Sequence, residues 1–217
     1  FIIFSMRRIR VETKIETGIL EKSVLSKSEC EEFIEIAKKY DLETKNDDVD
    51  DKPELQLDII SDDGVIEELW EKCKPIYLNK LKPILASTPW IEPDQRIYYV
   101  FLRKYDTAGR THIPMHTDEG YLTMSFLLSD TKDFEGGEIY IFDTKSSEEI
   151  DNWDENFYEE TSNREEYVTS HPNLPILDYQ QGDLAVYTGG KNYHGTLPVK
   201  GGERYILTFF LDKAILT

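Results

Sequence analysis

The chain has 217 residues, enough for one sizeable core, and its 39% hydrophobic and 12% aromatic content suits a folded globular protein. Its 43 acidic against 25 basic residues give a net charge of -18, which argues against nucleic acid as the main partner because phosphate binding needs a basic surface. The same balance is compatible with a cationic partner such as a Lys- or Arg-rich peptide, or simply with a solvated acidic surface.

The opening FIIFSMRRIR places a short apolar run ahead of its basic residues, the reverse of a signal peptide, and no stretch approaches the length of a membrane span. Residues 11–25 alternate weakly and end in Val24-Leu25, which predicts a first strand. Ser26 to Glu29 fits a capping box, and Cys30, Phe33, Ile34, Ala37 and Tyr40 recur at helical spacing, so a helix is predicted to about Tyr40. DLETKNDDVDDKP then reads as an acidic loop. Residues 62–85 carry Ile66, Leu69, Trp70, Cys73, Tyr77 and Leu81 at helical spacing, with Pro75 expected to kink or divide the helix. Cys30 and Cys73 fall on the apolar faces of these two helices. Buried free thiols and a reducing compartment, the cytoplasm, are therefore expected.

After Pro93 the character changes. IYYVFLRKY (97–105), YLTMSFLLS (121–129), GEIYIFD (137–143), GDLAVYTG (182–189) and RYILTFFLD (204–212) are strand-like runs separated by Gly, Asp, Asn and Pro clusters. Two helices followed by many strands predict a mainly β fold with helices packed on one side of a sandwich or barrel. The whole of 1–217 is expected to be a single domain, with 1–93 supplying the first strand and supporting helices and 94–217 the β core. Residues 144–173, long and mostly acidic, interrupt the strand series. A connection of that length is usually a lid, a binding loop or disordered.

Four histidines are present, His112, His116, His171 and His194. His116 and Asp118 are two apart, so in an extended segment both point to one face. A third ligand must come from elsewhere, and His194 lies just after GDLAVYTG. Two His and one carboxylate on one side of a metal leave open positions, the pattern of non-heme Fe(II) oxygenases, although zinc or manganese could take the same ligands. His112 and His171 lack a carboxylate at useful spacing and read as surface or loop residues. Ten residues past His194, Arg204 opens the strand RYILTFFLD. Arg204, Ile206, Thr208 and Phe210 share a face, and its apolar members make it the inward one. An inward Arg needs an anion. A dicarboxylate supplies one and suits the bidentate guanidinium; a structural ion pair with one of the many acids is the other reading.

HIPMHTD, GGEIYIF, GDLAVYTGGKNYHGTLPV and GGERYILTFFLD, in this order, resemble the Fe(II)/2-oxoglutarate dioxygenases, in particular the prolyl 4-hydroxylase and procollagen-lysyl hydroxylase branch. The resemblance covers about 97–213, and LSKSECEEFIEIAKKY resembles the helical segment that precedes the core in prolyl 4-hydroxylases. It implies a double-stranded β-helix (jelly-roll) core with N-terminal helices on one sheet. It also implies His116, Asp118 and His194 as iron ligands, and Arg204 as the clamp on the distal carboxylate of 2-oxoglutarate. Tyr105 matches a position where the family often places a Tyr near the co-substrate. Thr208, by strand parity, could bond the same carboxylate. The implied activity is hydroxylation of an unactivated C–H bond with Fe(II), 2-oxoglutarate and O2, with ascorbate as an accessory. A peptidyl proline or lysine is the leading substrate, and an acidic lid over the mouth would suit a basic peptide. A free amino acid or other small molecule is the alternative. A non-catalytic metal-binding jelly roll and a zinc or manganese hydrolase are readings of other classes. Relatives often carry a Tyr in the strand that here reads MSFLLS; Phe126-Leu127 stand in its place, so one hydrogen bond is expected to be missing or supplied by another Tyr.

Overall fold

The computed structural model describes residues 18–40, 42–92, 94–142 and 174–213. Strand β1 (Gly18–Glu21) leads into helix α1 (Lys27–Lys39). The capping box is present: the Ser26 hydroxyl accepts from the Glu29 N–H at 3.3 Å, and the Glu29 carboxylate accepts from the Ser26 N–H at 2.7 Å. Cys30, Phe33, Ile36 and Ala37 form the buried face of α1, which ends at Tyr40. Residues 11–17 of the expected first strand lie outside the described residues.

The acidic stretch expected to be a loop (41–53) keeps a turn at 47–52 but also contributes strand at its two ends. It forms β2 (Glu43–Asn46), a turn, and β3 (Pro53–Ser61), which pair as a hairpin. Some of the hairpin's polar side chains are tied to one another and to β5 rather than left to solvent. Lys45 donates to Asp58 at 2.8 Å, Gln56 donates to Asp58 at 2.6 Å, and Arg103 pairs with Asp47 at 3.0 Å and Glu54 at 2.6 Å. After β4 (Gly64–Val65) come α2 (Glu67–Ile76), a π-helical turn (Tyr77–Leu81) and α3 (Lys82–Ser87). Pro75 has no N–H to continue the ladder; the chain answers by widening into the π turn just beyond it instead of breaking.

The strands β5 (Gln95–Asp106), β6 (Ile113–His116), β7 (Leu122–Leu127), β8 (Phe134–Gly136), β9 (Ile139–Ile141), β10 (Leu184–Thr188), β11 (His194–Thr196) and β12 (Val199–Lys213) complete the described elements. The predicted strands all appear. The additional β6, β8 and β11, of three or four residues, are too short to display a period in sequence. The large sheet has the order β1-β10-β7-β12-β5-β3-β2, and a small sheet has the order β6-β11-β9; every pairing is antiparallel. The fold is mainly β with flanking helices, in a jelly-roll arrangement.

Side-chain alternation decides where the site falls. Val100 and Leu102 of β5 and Leu207, Phe209 and Leu211 of β12 pack with Phe33, Leu69, Cys73 and Leu81 of the helical layer. The opposite parity, Phe101, Tyr105 and Ile206, faces inward and meets Ile113 of the small sheet. The space between the sheets is therefore lined by the odd residues of β5 and the even residues of β12. Both cysteines are buried and free, and burial pushes their thiols up, Cys30 to about 11 and Cys73 to about 12. They are packing groups rather than nucleophiles. No described helix is long and apolar enough to cross a membrane. The segment 144–173 and His171 lie outside the described residues.

Candidate metal centre

β6 and β11 are neighbours in the small sheet, and their register sets His116 directly opposite His194. Asp118 follows in the turn after β6, not within the strand, and folds back between the two rings. His116 Nε2 lies 3.2 Å and His194 Nε2 3.4 Å from Asp118 Oδ1. One donor atom from each residue falls within 4.8 Å of the others, so all three can reach one ion. The tautomers follow from the partners. His116 Nδ1 is 2.8 Å from the Pro114 carbonyl, and His194 Nδ1 is 3.0 Å from the Asn192 carbonyl. A carbonyl only accepts, so each Nδ1 carries the proton and each Nε2 offers a lone pair to the shared centre. The other Asp118 oxygen accepts from the Thr123 hydroxyl on β7. Burial alone would push the Asp118 carboxyl up, but the two imidazoles hold it well below the usual carboxylate range. Burial likewise opposes the charged form of His194, yet Asp118 pulls its pKa up.

The loop before β11 is held by Asn192, which is fully buried. Its side-chain oxygen accepts from the Thr188 N–H at 3.0 Å, and its side-chain nitrogen donates to the Phe142 carbonyl at 2.8 Å. The carbonyl that orients His194 is thus pinned to two strands.

Deeper between the sheets, Arg204 is only 2% exposed. It stands opposite Tyr105 in the β12–β5 register, with its guanidinium carbon 5.3 Å from the Tyr105 ring centre. Its Nε and Nη1 are buried without a hydrogen-bond partner, and no ion pair joins it to a carboxylate among the described residues. The reading of Arg204 as half of a structural ion pair therefore has no support. Burial pushes its pKa down while Tyr105, Tyr179 and, at longer range, Glu138 oppose. A cation left this way is matched to an incoming anion. Gly137, at φ +68°, lets the side chain pass: a Cβ there would sit 2.8 Å from Arg204 Cδ.

Thr208 is on the same inward face, but its hydroxyl is 3.0 Å from the Ser125 hydroxyl of β7. Two further tyrosines reach the pocket that sequence alone did not single out. Tyr179, from the loop before β10, donates to the Ser125 carbonyl, and the Tyr187 ring of β10 lies tilted with its centre 4.5 Å from that of His194. Burial pushes both phenols above the ordinary value, against the opposing Arg204 charge for Tyr179 and with the added Asp118 charge for Tyr187. They bring hydroxyls near Arg204 where Leu127 supplies none. Only the odd parity of Tyr187 on GDLAVYTG hinted at this; Tyr179 gave no signal. His112 lies in the loop before β6, its Nδ1 2.9 Å from the Thr111 hydroxyl, and is not one of the clustered ligands.

Chemically, three ligands clustered on one side leave positions free for further ligands, and a buried unpaired guanidinium lies deeper in the same inter-sheet space. The residues fit a divalent metal with a carboxylate co-ligand.

No family model and no curated protein sequence matches the chain. Solved structures do. The viral collagen prolyl hydroxylase vCPH of Paramecium bursaria Chlorella virus-1, as a 2-oxoglutarate complex, has TM-score 0.55 and 16% identity, covering 93% of this chain and 100% of that one. HygX of Streptomyces hygroscopicus, with nickel and 2-oxoglutarate bound, has TM-score 0.60 and 14% identity, covering 93% and 84%. A Trichoplax adhaerens prolyl hydroxylase in complex with a hypoxia-inducible-factor peptide fragment has TM-score 0.59 and 10% identity, covering 91% and 84%. With the two-sheet order, the clustered His-Asp-His ligands and the buried Arg204 already in place, these likenesses establish that the chain has the fold of the 2-oxoglutarate/Fe(II) oxygenases.

Proposed function

We propose that the chain is an Fe(II)- and 2-oxoglutarate-dependent dioxygenase that hydroxylates an unactivated C–H bond of a peptidyl residue, proline or lysine. The observation that carries this reading is Arg204, a buried guanidinium with two unpartnered nitrogens, in the same inter-sheet space as the His116, Asp118 and His194 cluster. A zinc or manganese hydrolase needs the cluster but has no use for that cation. Bound at this site, Fe(II) with 2-oxoglutarate and O2 would supply the oxidising power for C–H hydroxylation, with succinate and CO2 as co-products.

The chain's own residues then have separate tasks. His116, Asp118 and His194 hold the metal, with Nδ1–H donation fixing both rings. Arg204 takes the distal carboxylate in a pocket where low polarity strengthens the bond. The Tyr105 ring limits where the guanidinium can swing, and Tyr179 and Tyr187 offer hydroxyls that stay protonated. Thr208, tied to Ser125, shapes the wall between clamp and metal. The peptide part of the reading draws support from the fold likeness to two prolyl hydroxylases, one holding a peptide. Ascorbate belongs in the assay as an accessory reductant. The two free buried thiols suit a reducing compartment such as the cytoplasm.

Anaerobic addition of Fe(II) and 2-oxoglutarate should give a weak visible charge-transfer band, and aerobic incubation with Pro- or Lys-containing peptides should release succinate. Tight zinc binding with no band and no succinate would leave the non-catalytic module standing instead. Turnover of free amino acids but not peptides would remove the peptidyl part.

A further inference from the structure

The inward face of β12 carries Arg204, Ile206, Thr208, Phe210 and Asp212 in turn, from the buried end of the pocket to its rim. Phe210 stands opposite Thr123, whose hydroxyl bonds Asp118, so its ring lies one side chain away from the metal ligands. Beside it the β12–β5 ladder slips: Phe210 pairs with Tyr99 and Leu211 with Ile97, leaving Tyr98 as an extra residue. This bulge turns two consecutive tyrosines to one side. Tyr98 and Tyr99 both approach Phe210, with ring centres 6.1 and 5.8 Å away, and all three residues are partly buried.

Two carboxylates flank this shelf. Glu119 directly follows Asp118 in sequence, is exposed, and pairs with no cation among the described residues. Its backbone is fixed by the shelf itself: the Tyr98 hydroxyl donates to the Glu119 carbonyl at 2.9 Å. Gly120, at φ +89°, lies so close that a Cβ would come within 2.7 Å of that hydroxyl. Asp212, at the rim, has Arg96 at 3.7 Å, a loose pair with both partners about half exposed, 46% and 58%, and so largely solvated. Burial first, and then the charges of Asp118, Glu119 and Asp212, push the Tyr98 phenol up to about 12.

We propose that Tyr98 and Phe210 with Glu119 and Asp212 form a specificity site for a cationic side chain of the substrate. Its aliphatic stem lies on the two rings, and its charged end reaches the carboxylates. This rests on the oxygenase reading above. The chemistry is complementary at each point: electron-rich ring faces attract a cation, and one carboxylate without a cationic partner among the described residues, beside one only loosely paired with Arg96, gives it a destination. The overall charge of the chain would attract any cation equally; the shelf instead predicts discrimination at one position of the ligand.

The test uses the protein with Fe(II) and 2-oxoglutarate under anaerobic conditions. The probes are short Gly-, Ala- and Pro-containing peptides carrying one Lys, norleucine or Glu at the same position, with binding read by calorimetry. The Lys peptide should bind about tenfold more tightly than its norleucine counterpart at low salt, with the gap closing as salt rises. Glu119→Gln and Asp212→Asn should each narrow that gap by about threefold, and together should abolish it. Phe210→Ala should weaken both peptides alike. Equal binding of Lys and norleucine peptides by the unsubstituted protein, or a gap that survives in the double variant, overturns the proposal. The charge-transfer band recorded in the same samples separates the two claims: its absence overturns the oxygenase reading, while the Lys-to-norleucine ratio decides the shelf.

Discussion

Arg204 holds a charge with no ion pair to a carboxylate among the described residues, and burial pushes its pKa down. An unpaired buried charge costs stability in the empty protein and repays it only when an anion arrives. Arg204→Met should therefore leave the protein without co-substrate as stable as before or more so, while 2-oxoglutarate affinity falls by roughly thirtyfold or more, the loss of about 2 kcal/mol of charge-assisted bonding. Urea denaturation and co-substrate titration of the same variant check both halves, and a destabilised variant that still binds normally would contradict the assignment. Asn192 acts through His194. Replacing it by Ala frees the loop carbonyl that orients the ring, and divalent-metal affinity should drop about ten- to hundredfold in chelator competition. Unchanged affinity would mean that the tether serves packing alone.

At the scale of elements, Gly137 marks where a turn and a functional side chain compete for space. Gly137→Ala would place a methyl 2.8 Å from both Arg204 Cδ and Val199 Cγ2 at a φ of +68°. A stability loss of about 1–3 kcal/mol is expected, together with a smaller melting-temperature rise on adding 2-oxoglutarate. A wild-type response would show that the clamp tolerates displacement. The clustering of His116, Asp118 and His194 could be anticipated from the two-residue spacing of the first pair and the place of His194 beyond a strand, although Asp118 reaches the rings from the turn after β6 and not by strand alternation. The capping box of α1 was likewise legible from local spacing. The β2–β3 hairpin was not. Inward positions of a sheet are expected to be apolar, but Lys45, Glu54, Gln56 and Asp58 face inward in compensating pairs, and such a pattern cannot be told from a solvated loop until the partners on β5 are known. The Tyr98 bulge escaped for a related reason, since a one-residue slip changes facing without changing composition.

Across the whole molecule, the hairpin network makes stability depend on pH. Burial first, and then the bond with Asp47, push the Glu54 carboxyl up to about 8, while burial is overcome for Asp47, whose pKa is held down by Glu54 and Arg103. The folded state thus keeps a proton that the unfolded chain releases between about 4.5 and about 8. Stability should decline as pH rises through that window, and Glu54→Gln, which preserves a neutral donor to Asp47, should flatten the decline. Asp47 contributes in the opposite sense only at lower pH. Denaturation midpoints at about pH 5.5, inside the window, and about pH 8.5, above it, would reveal the slope.

The two sheets divide the labour of the site: His116 and His194 belong to the small one, Arg204 to the large one. Small-sheet strands β9 and β11 are only three residues long. A co-substrate gripping the metal at one end and Arg204 at the other would be a cross-brace between a stiff wall and a thin one. Its saturation should slow amide exchange in β9 and β11 far more than in β5 or β12, so that the thin wall acquires its rigidity only when the site is filled.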